Sequence, residues 1–232
     1  MSTAQAEKTV LDKIRSRGYW RVVIRPGTFN KNHIPSSADL FPIISKNSVQ
    51  LRGWDYPHVD HRQAPKSGPD WVSQDCDWDA EVEIWRFYQS GLFIHYFAIC
   101  GEWRDCSESW PAEPGWEPGR EFHDIPAVYS LLEVFEFAAR LAQSPAGAET
   151  MRVDIEIHGI YGRILRSENR LRRPINHRTE IDPWEHRWEG SQTDLIARPR
   201  PLAAEAARDL FSRFGLDVSL DILTQIQERI GR

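Results

Sequence analysis

The sequence predicts an α+β protein: a mostly antiparallel, mixed sheet of about five or six strands with a packed central helix and C-terminal helices. Three features point there. Tyr19 to Arg25 is rich in β-branched and aromatic residues and ends at Pro26-Gly27; Leu92 to Cys100 is apolar on both faces and follows a Ser90-Gly91 turn; Val153, Ile155 and Ile157 alternate with charged residues. Residues 126–143 supply the helix, with Leu131, Val134, Phe135, Ala138, Leu141 and Ala142 on one face.

The elements follow in order. Val10, Leu11 and Ile14 at helical spacing, with Gly18 as a stop, predict a short helix within residues 4–16. After the strand at 19–25, Ser36 or Ser37 can cap a helix carrying Leu40, Ile43 and Ile44, and Ser48 to Trp54 reads as a second strand, so the first third forms a β-helix-β unit. The polar, proline-rich stretch 55–77 reads as a long connection and a candidate binding loop. Glu81 to Ile84 alternates strictly and pairs in a hairpin with 92–100, whose strand is central. Residues 103–124, with three prolines and three tryptophans, form a second loop, and Asp124 is placed to cap the central helix. The strand at 153–158 continues through 160–165, and 166–190 is an Arg- and Trp-bearing loop. A short strand at Thr193 to Ala197 precedes a helix from Pro201 to Phe214, stopped by Gly215, and Ser219 caps a last helix to Ile230. The break near 190–200 divides a core, 1–198, from a helical pair, 199–232, packed on the same domain.

At 232 residues, one core of this size needs no disulfides, and three cysteines, Cys76, Cys100 and Cys106, fit free thiols in a reducing compartment. The N-terminal stretch lacks a signal-peptide core, and no stretch approaches the roughly 20 apolar residues of a membrane span, so a cytoplasmic, non-membrane protein is expected. The net charge of −5 is unevenly spread: Lys and Arg against Asp and Glu number 11 and 6 in 1–70, 4 and 15 in 71–150, and 14 and 13 in 151–232. An acidic middle between more basic ends fits either internal neutralisation or two faces for two partners. No lysine follows Lys66, and many of the ten tryptophans lie in segments that read as loops. Arginine and tryptophan are the residues most enriched where binding energy concentrates.

Enzyme motifs are sparse. Asp154, Glu156 and His158 share one strand face, but alternating charge is also the ordinary wet face of a half-buried strand. A restriction-type nuclease pairs a carboxylate with a lysine two residues on, which a chain without lysine beyond position 66 cannot supply there. His58, Asp60 and His61 form the densest ionisable cluster in a loop; they suit a metal or a general base less well than a loop anchor, and no metal site is assigned. The cysteine spacing does not fit zinc, Cys106 and His123 carry no local sign of activation, and phosphate-loop, nucleophile-elbow and dinucleotide motifs are missing. Neither catalytic residues nor a cofactor is expected. Arg163, Arg166, Arg170, Arg172, Arg173 and Arg178 are dense enough to neutralise several phosphates.

The runs RGYWRVVIRP (17–26), LRGWDYPHVD (51–60), WRFYQSGLFIHYFA (85–98) and VDIEIHGIYGRIL (153–165) resemble uncharacterised bacterial proteins, some carrying a similar region beside a Schlafen-like AlbA domain in antiphage defence settings. The resemblance implies a sensor, adaptor or nucleic-acid-associated role and transfers no catalytic motif. The expectation is therefore a non-enzymatic accessory, sensor or adaptor subunit that binds a protein partner through Trp54, Tyr56, Trp103, Trp116, Trp184 and Trp188. The alternatives are a nucleic-acid-binding module using the six arginines, and a metal-dependent hydrolase or nuclease using His58, Asp60 and His61. The identity of the partner and the oligomeric state are not encoded in any motif.

Overall fold

The computed structural model describes residues 9–166 and 178–230. Its frame is a seven-stranded sheet, antiparallel at every pairing. In chain order the main strands are β1 (Tyr19–Pro26), β4 (Lys66–Ser67), β5 (Trp71–Trp78), β6 (Glu81–Tyr88), β7 (Phe93–Ala98), β9 (Thr150–His158) and β11 (Trp184–Ser191), arranged β11-β9-β1-β7-β6-β5-β4. Two small sheets stand beside it, β2 (Val49–Gln50) with β3 (Asp55–Tyr56), and β8 (Glu121–His123) with β10 (Ile164–Arg166). The α+β class holds, with more strands in the main sheet than expected.

Alternation decides the faces. Trp20, Val22 and Ile24 of β1, Phe93 of β7, and Met151, Val153, Ile155 and Ile157 of β9 are buried, while Arg21, Arg25, Arg152, Asp154 and Glu156 keep contact with water. Against the buried face lies α3 (Asp124–Ala142), which α5 (Pro199–Ser212) covers from behind, with α4 (Gln192–Ala197) and α6 (Leu220–Gln227) at its flanks. Because α3 lies between sheet and helices, it is apolar almost all round: Val128, Leu131, Leu132, Val134, Phe135, Phe137, Ala138 and Leu141 are all buried. Leu202, Ala206, Leu210 and Phe211 belong to the same cluster as the buried face of the sheet. Trp184 Nε1 donates to Asp209 Oδ2 at 2.8 Å and ties β11 to α5.

Several elements differ from expectation. The segment 71–77, read as connection, is most of β5, and 184–190, read as loop, is most of β11. Residues 193–197 form α4 rather than a strand, because the Ser191 side chain accepts from the Asp194 backbone N–H and starts a helix. The expected strand at 48–54 shrinks to β2, which pairs with β3 outside the main sheet, so no β-helix-β unit forms there. Residues 160–165 turn away into β10 rather than extending β9. Asp124 is the first helical residue rather than the cap, and its Oδ1 accepts from the Ile125 N–H. The short helices α1 (Val10–Arg15) and α2 (Leu40–Asn47) fall where the spacing places them, α1 opened by a reciprocal Thr9–Asp12 capping box. The hairpin at Ser90-Gly91 also stands, with β7 in the middle of the sheet.

Candidate functional site

On the helix-facing side of β6 and β7, two positions that should be apolar are ionisable. Glu83 and His95 are both buried, and they lie on adjacent strands where Glu83 faces Phe97 and Trp85 faces His95. His95 Nε2 and Glu83 Oε2 are 2.8 Å apart. Glu83 also accepts from Trp54 Nε1 at 2.9 Å and from the His58 backbone N–H at 3.2 Å, so the β3 segment is pinned over the strand pair by one carboxylate. Burial opposes that charge, but the bonds from His95, Trp54 and His58 outweigh it, and the Glu83 carboxyl titrates below its ordinary range.

Beside this pair lies a cavity of about 210 Å³ between β6, β7, α3 and the β2–β3 turn, with Arg52, Trp54, Tyr56, Glu81, Glu83, His95, Trp110, Ser130 and Glu133 in its walls. Arg52 forks onto Glu133, Nε to Oε1 at 2.9 Å and Nη2 to Oε2 at 2.7 Å, and its Nη2 also reaches Ser130 Oγ at 3.2 Å. Even so, burial holds the Glu133 carboxyl above its ordinary range, and the charge of Glu83 adds to that. Glu81 stands at the rim without an ion pair or side-chain hydrogen bond among the described residues. Desolvation in the rim, and then the charge of Glu83, push it up as well. Among the described residues, Tyr56 Oη and His95 Nδ1, buried atoms of two residues that line the cavity, have no hydrogen-bond partner. Trp54 closes one side and stacks on His58 at 4.2 Å and on Trp78 at 5.9 Å. Trp78 is 62% exposed and Trp110 43%.

The residues singled out from the sequence are mostly elsewhere. Tyr56, Trp103 and Trp184 are buried, Trp103 beneath the cationic ends of Lys13 and Arg17, so these three rings offer a partner no surface and that part of the expected contact set is corrected. Trp116 lines a separate depression with Arg104 and Glu117, and Trp188 is half-buried against the core at β11. Only Trp54 and Tyr56 reach the cavity. His58, Asp60 and His61 do not converge: His58 Nδ1 bonds Asp55 Oδ1 at 2.6 Å, Asp60 Oδ1 takes the Arg62 backbone N–H and Nε, and His61 meets the Phe41 ring edge. The hydrogen bond that His58 donates to Asp55 raises the His58 pKa and fastens the loop, the anchoring role expected of it. Among the described residues no group of three or more His, Cys, Asp or Glu gathers to hold a metal. Asp154 and Glu156 instead face Arg25 and Arg21 across the sheet, and His158 bonds Glu156.

The expected arginine surface also dissolves where it is described. Arg163 is 1% exposed and grips Glu102 with both terminal nitrogens, at 2.7 and 2.8 Å. Arg166 pairs with Glu121, and Arg178 donates to the Gly162 carbonyl. Arg170, Arg172 and Arg173 lie outside the described residues. The three cysteines are not joined by disulfides, and burial lifts the Cys76 thiol to about 12, so it is not an activated nucleophile. No described helix is long and apolar enough to cross a membrane.

Sequence reasoning missed Arg52, Glu81, Glu83, His95, Ser130 and Glu133 as a set. The available signals were a histidine inside the apolar run 92–100 and a glutamate on the buried side of the central helix. Comparison with protein-family models, with curated proteins and with solved structures gives no match, so the function of this site is read from its geometry alone.

Proposed function

We propose that the protein is a non-enzymatic binding module, an accessory or sensor subunit, and that its recognition element is the acid-walled cavity beside Trp54. One observation carries this reading: Tyr56 and His95 both line one cavity, and each keeps a buried polar atom, Oη and Nδ1, without a partner among the described residues. A buried polar group left unsatisfied costs roughly 1–3 kcal/mol, so two together are retained at a cost that a bound ligand would offset. Binding is favoured over catalysis because Glu83, the best-placed base, already accepts three hydrogen bonds that hold the loop. The test is a fragment screen with ligands of mixed charge, followed through the backbone and indole amide signals of ¹⁵N-labelled protein. Shifts that cluster on Trp54, Tyr56, His95 and Ser130 support the reading; saturable shifts confined to other surfaces would sink it.

A protein partner, as the sequence suggested, is a second reading, now centred on different rings. Trp78 and Trp110 are both exposed at this end of the molecule, Trp78 stacked on Trp54 and Trp110 in the cavity rim. Exposed tryptophans beside a pocket are the usual anchors of a docking surface. Nucleic-acid binding loses support from Arg163, Arg166 and Arg178, each of which is engaged within the chain.

A further inference from the structure

The two edges of the main sheet are finished differently. One ends in β4, only two residues long and carrying Lys66, and the loop before it is tied to β5 by Gln74, whose Nε2 donates to the carbonyls of Asp60 and Gln63. Short, lysine-bearing or covered edges are how sheets keep other strands from adding to them. The other edge is β11, eight residues long and paired with β9 along one side. A hydrogen bond at its end fixes which groups point outward. The Gln192 N–H donates to the Glu149 carbonyl, directly opposite it in the register, so the even-numbered residues of β11 turn their backbone groups to β9. The odd-numbered ones, Glu185, Arg187, Glu189 and Ser191, turn their N–H groups to the open side, and no hydrogen bond joins these four to another described residue.

Along that edge the exposed side chains run Glu185, Arg187, Glu189, and the run is self-complementary in some antiparallel registers and not in others. A two-fold axis at Arg187 would set Glu185 against Glu189 and Arg187 against itself, like charge on like. An axis at His186 sets Glu185 against Arg187, but its ladder runs into Pro183, which has no N–H to give. An axis at Trp188 sets Arg187 against Glu189 twice, carries the ladder on to Glu185 against Ser191, and places the two half-buried Trp188 residues directly opposite each other. We infer that two copies of this chain pair β11 to β11 about an axis at Trp188, joining their seven-stranded sheets edge to edge. The same strand serves on both sides, so the assembly closes at a dimer. β9 and β1 separate this edge from the strands of the cavity, and the inference stands apart from the binding-module reading.

The experiment follows the full-length protein by analytical ultracentrifugation from micromolar to millimolar concentration, with amide-resolved hydrogen exchange at both ends of that range. Three variants are compared, each first shown to melt cooperatively: Arg187→Pro, Arg187→Glu and the exchange Arg187→Glu/Glu189→Arg. Proline at 187 removes an N–H that points to the open side and spares the ladder with β9. The expected result is a mass that rises from 26.9 kDa toward twice that value, with the Arg187 and Glu189 amides protected in the dimer and not in the monomer. Arg187→Pro and Arg187→Glu should each weaken dimerisation at least about tenfold, the second by setting glutamates opposite each other. The exchange should recover most of that loss, because positions 187 and 189 again meet with opposite charge. Loss in Arg187→Glu without recovery in the exchange would overturn the axis at Trp188. A dimer that ignores both single variants uses another surface, and growth past a dimer means that the contact does not close; either overturns the inference. A chain monomeric throughout overturns it as well, and its Arg187 and Glu189 amides then tell whether the edge is covered within the chain or left open to a strand of another protein.

Discussion

The molecule holds two buried acidic centres, and they are built to opposite ends. At the first, Glu102 accepts from both terminal nitrogens of Arg163 and from the backbone N–H groups of Gly18 and Gly119, while Arg163 also donates to the carbonyls of Gly159 and Glu121. The start of β1, the loop after β7, the approach to β8 and the turn after β9 are thereby fastened at one point. A Cβ on Gly18 would fall on the Arg163 guanidinium, which is why only glycine fits that close approach. At the second centre, around Glu83, the acids outnumber their partners and two buried polar atoms are unmatched. A buried polar network with its main groups matched is a clamp, whereas the incomplete one is where binding is proposed.

The contrast is broken most severely at Arg163. Replacing it with alanine strands the Glu102 charge in the interior, and the expected loss is roughly 3–5 kcal/mol of folding free energy, read as a lowered urea midpoint. The double variant Arg163→Ala/Glu102→Ala should regain much of that loss, because neither charge is then left alone. A single variant within about 1 kcal/mol of wild type would mean that Arg163 is not the clamp that geometry makes it.

Acid titration separates the two centres next. Burial alone would raise the Glu102 carboxyl, but the hydrogen bonds and charge of Arg163 and the two backbone N–H groups hold it below its ordinary range, as His95, Trp54 and His58 do for Glu83. A lowered folded-state pKa contributes stability that is present above the unfolded value, about 4.3 for Glu, and is lost as pH falls through the folded value. Glu81 and Glu133 are raised, first by burial and also by the charge of Glu83. Between their unfolded and folded values the native state binds more protons, so their contribution to stability improves as pH falls from neutrality. The expected urea midpoint therefore rises on mild acidification and falls steeply below about pH 4. A monotonic fall from pH 7 downward would remove the surplus of acid from the second centre.

Much of the frame was legible and most of the site was not, for related reasons. β1, β7, β9 and α3 carry dense apolar runs whose period is set by burial, and sequence periodicity reports burial. β5 and β11 lie toward the two edges of the sheet, where one side tolerates water. Runs such as WVSQDCDW and WEHRWEGS therefore read as loop although Trp184, His186 and Trp188 alternate. At 193–197, where a short strand was expected, a single cap at Ser191 decides for helix. Glu81 and Glu83 alternate with Val82 and Ile84 whichever face is wet, so the pattern could not reveal that the glutamates turn toward the helix. Only the register between β6 and β7, together with the Glu83 bonds that fasten the β3 segment, brings Arg52, Tyr56, Glu83, His95 and Glu133 to one cavity from widely separated positions. Arg163 misled for the opposite reason: charge density in sequence carries no information on which arginine is drawn inside.

A smaller effect is expected at Glu81. Its carboxylate feels the like charges of Glu83, Glu133 and Asp79 against the opposite charge of Arg52 and is raised on balance, so Glu81→Gln should raise the melting temperature of the free protein at pH 7. The same substitution should reduce the rise in stability on mild acidification. A lowered melting temperature would reassign Glu81 to the scaffold.

The smallest effect should come from Arg166, three residues from Arg163 and chemically identical to it. Arg166 bonds Glu121 through Nε at 2.7 Å and Nη2 at 2.6 Å, and the pair lowers the Glu121 carboxyl much as Arg163 lowers that of Glu102. The difference is water: more than half of the Arg166 side chain is exposed, so both ions are well solvated when parted and little is gained by joining them. Arg166→Ala should therefore shift stability by no more than about 0–1 kcal/mol, an effect that salt further weakens. A loss near that of Arg163→Ala would show that the β8–β10 pairing depends on this surface ion pair, and burial would then no longer be what separates clamp from surface.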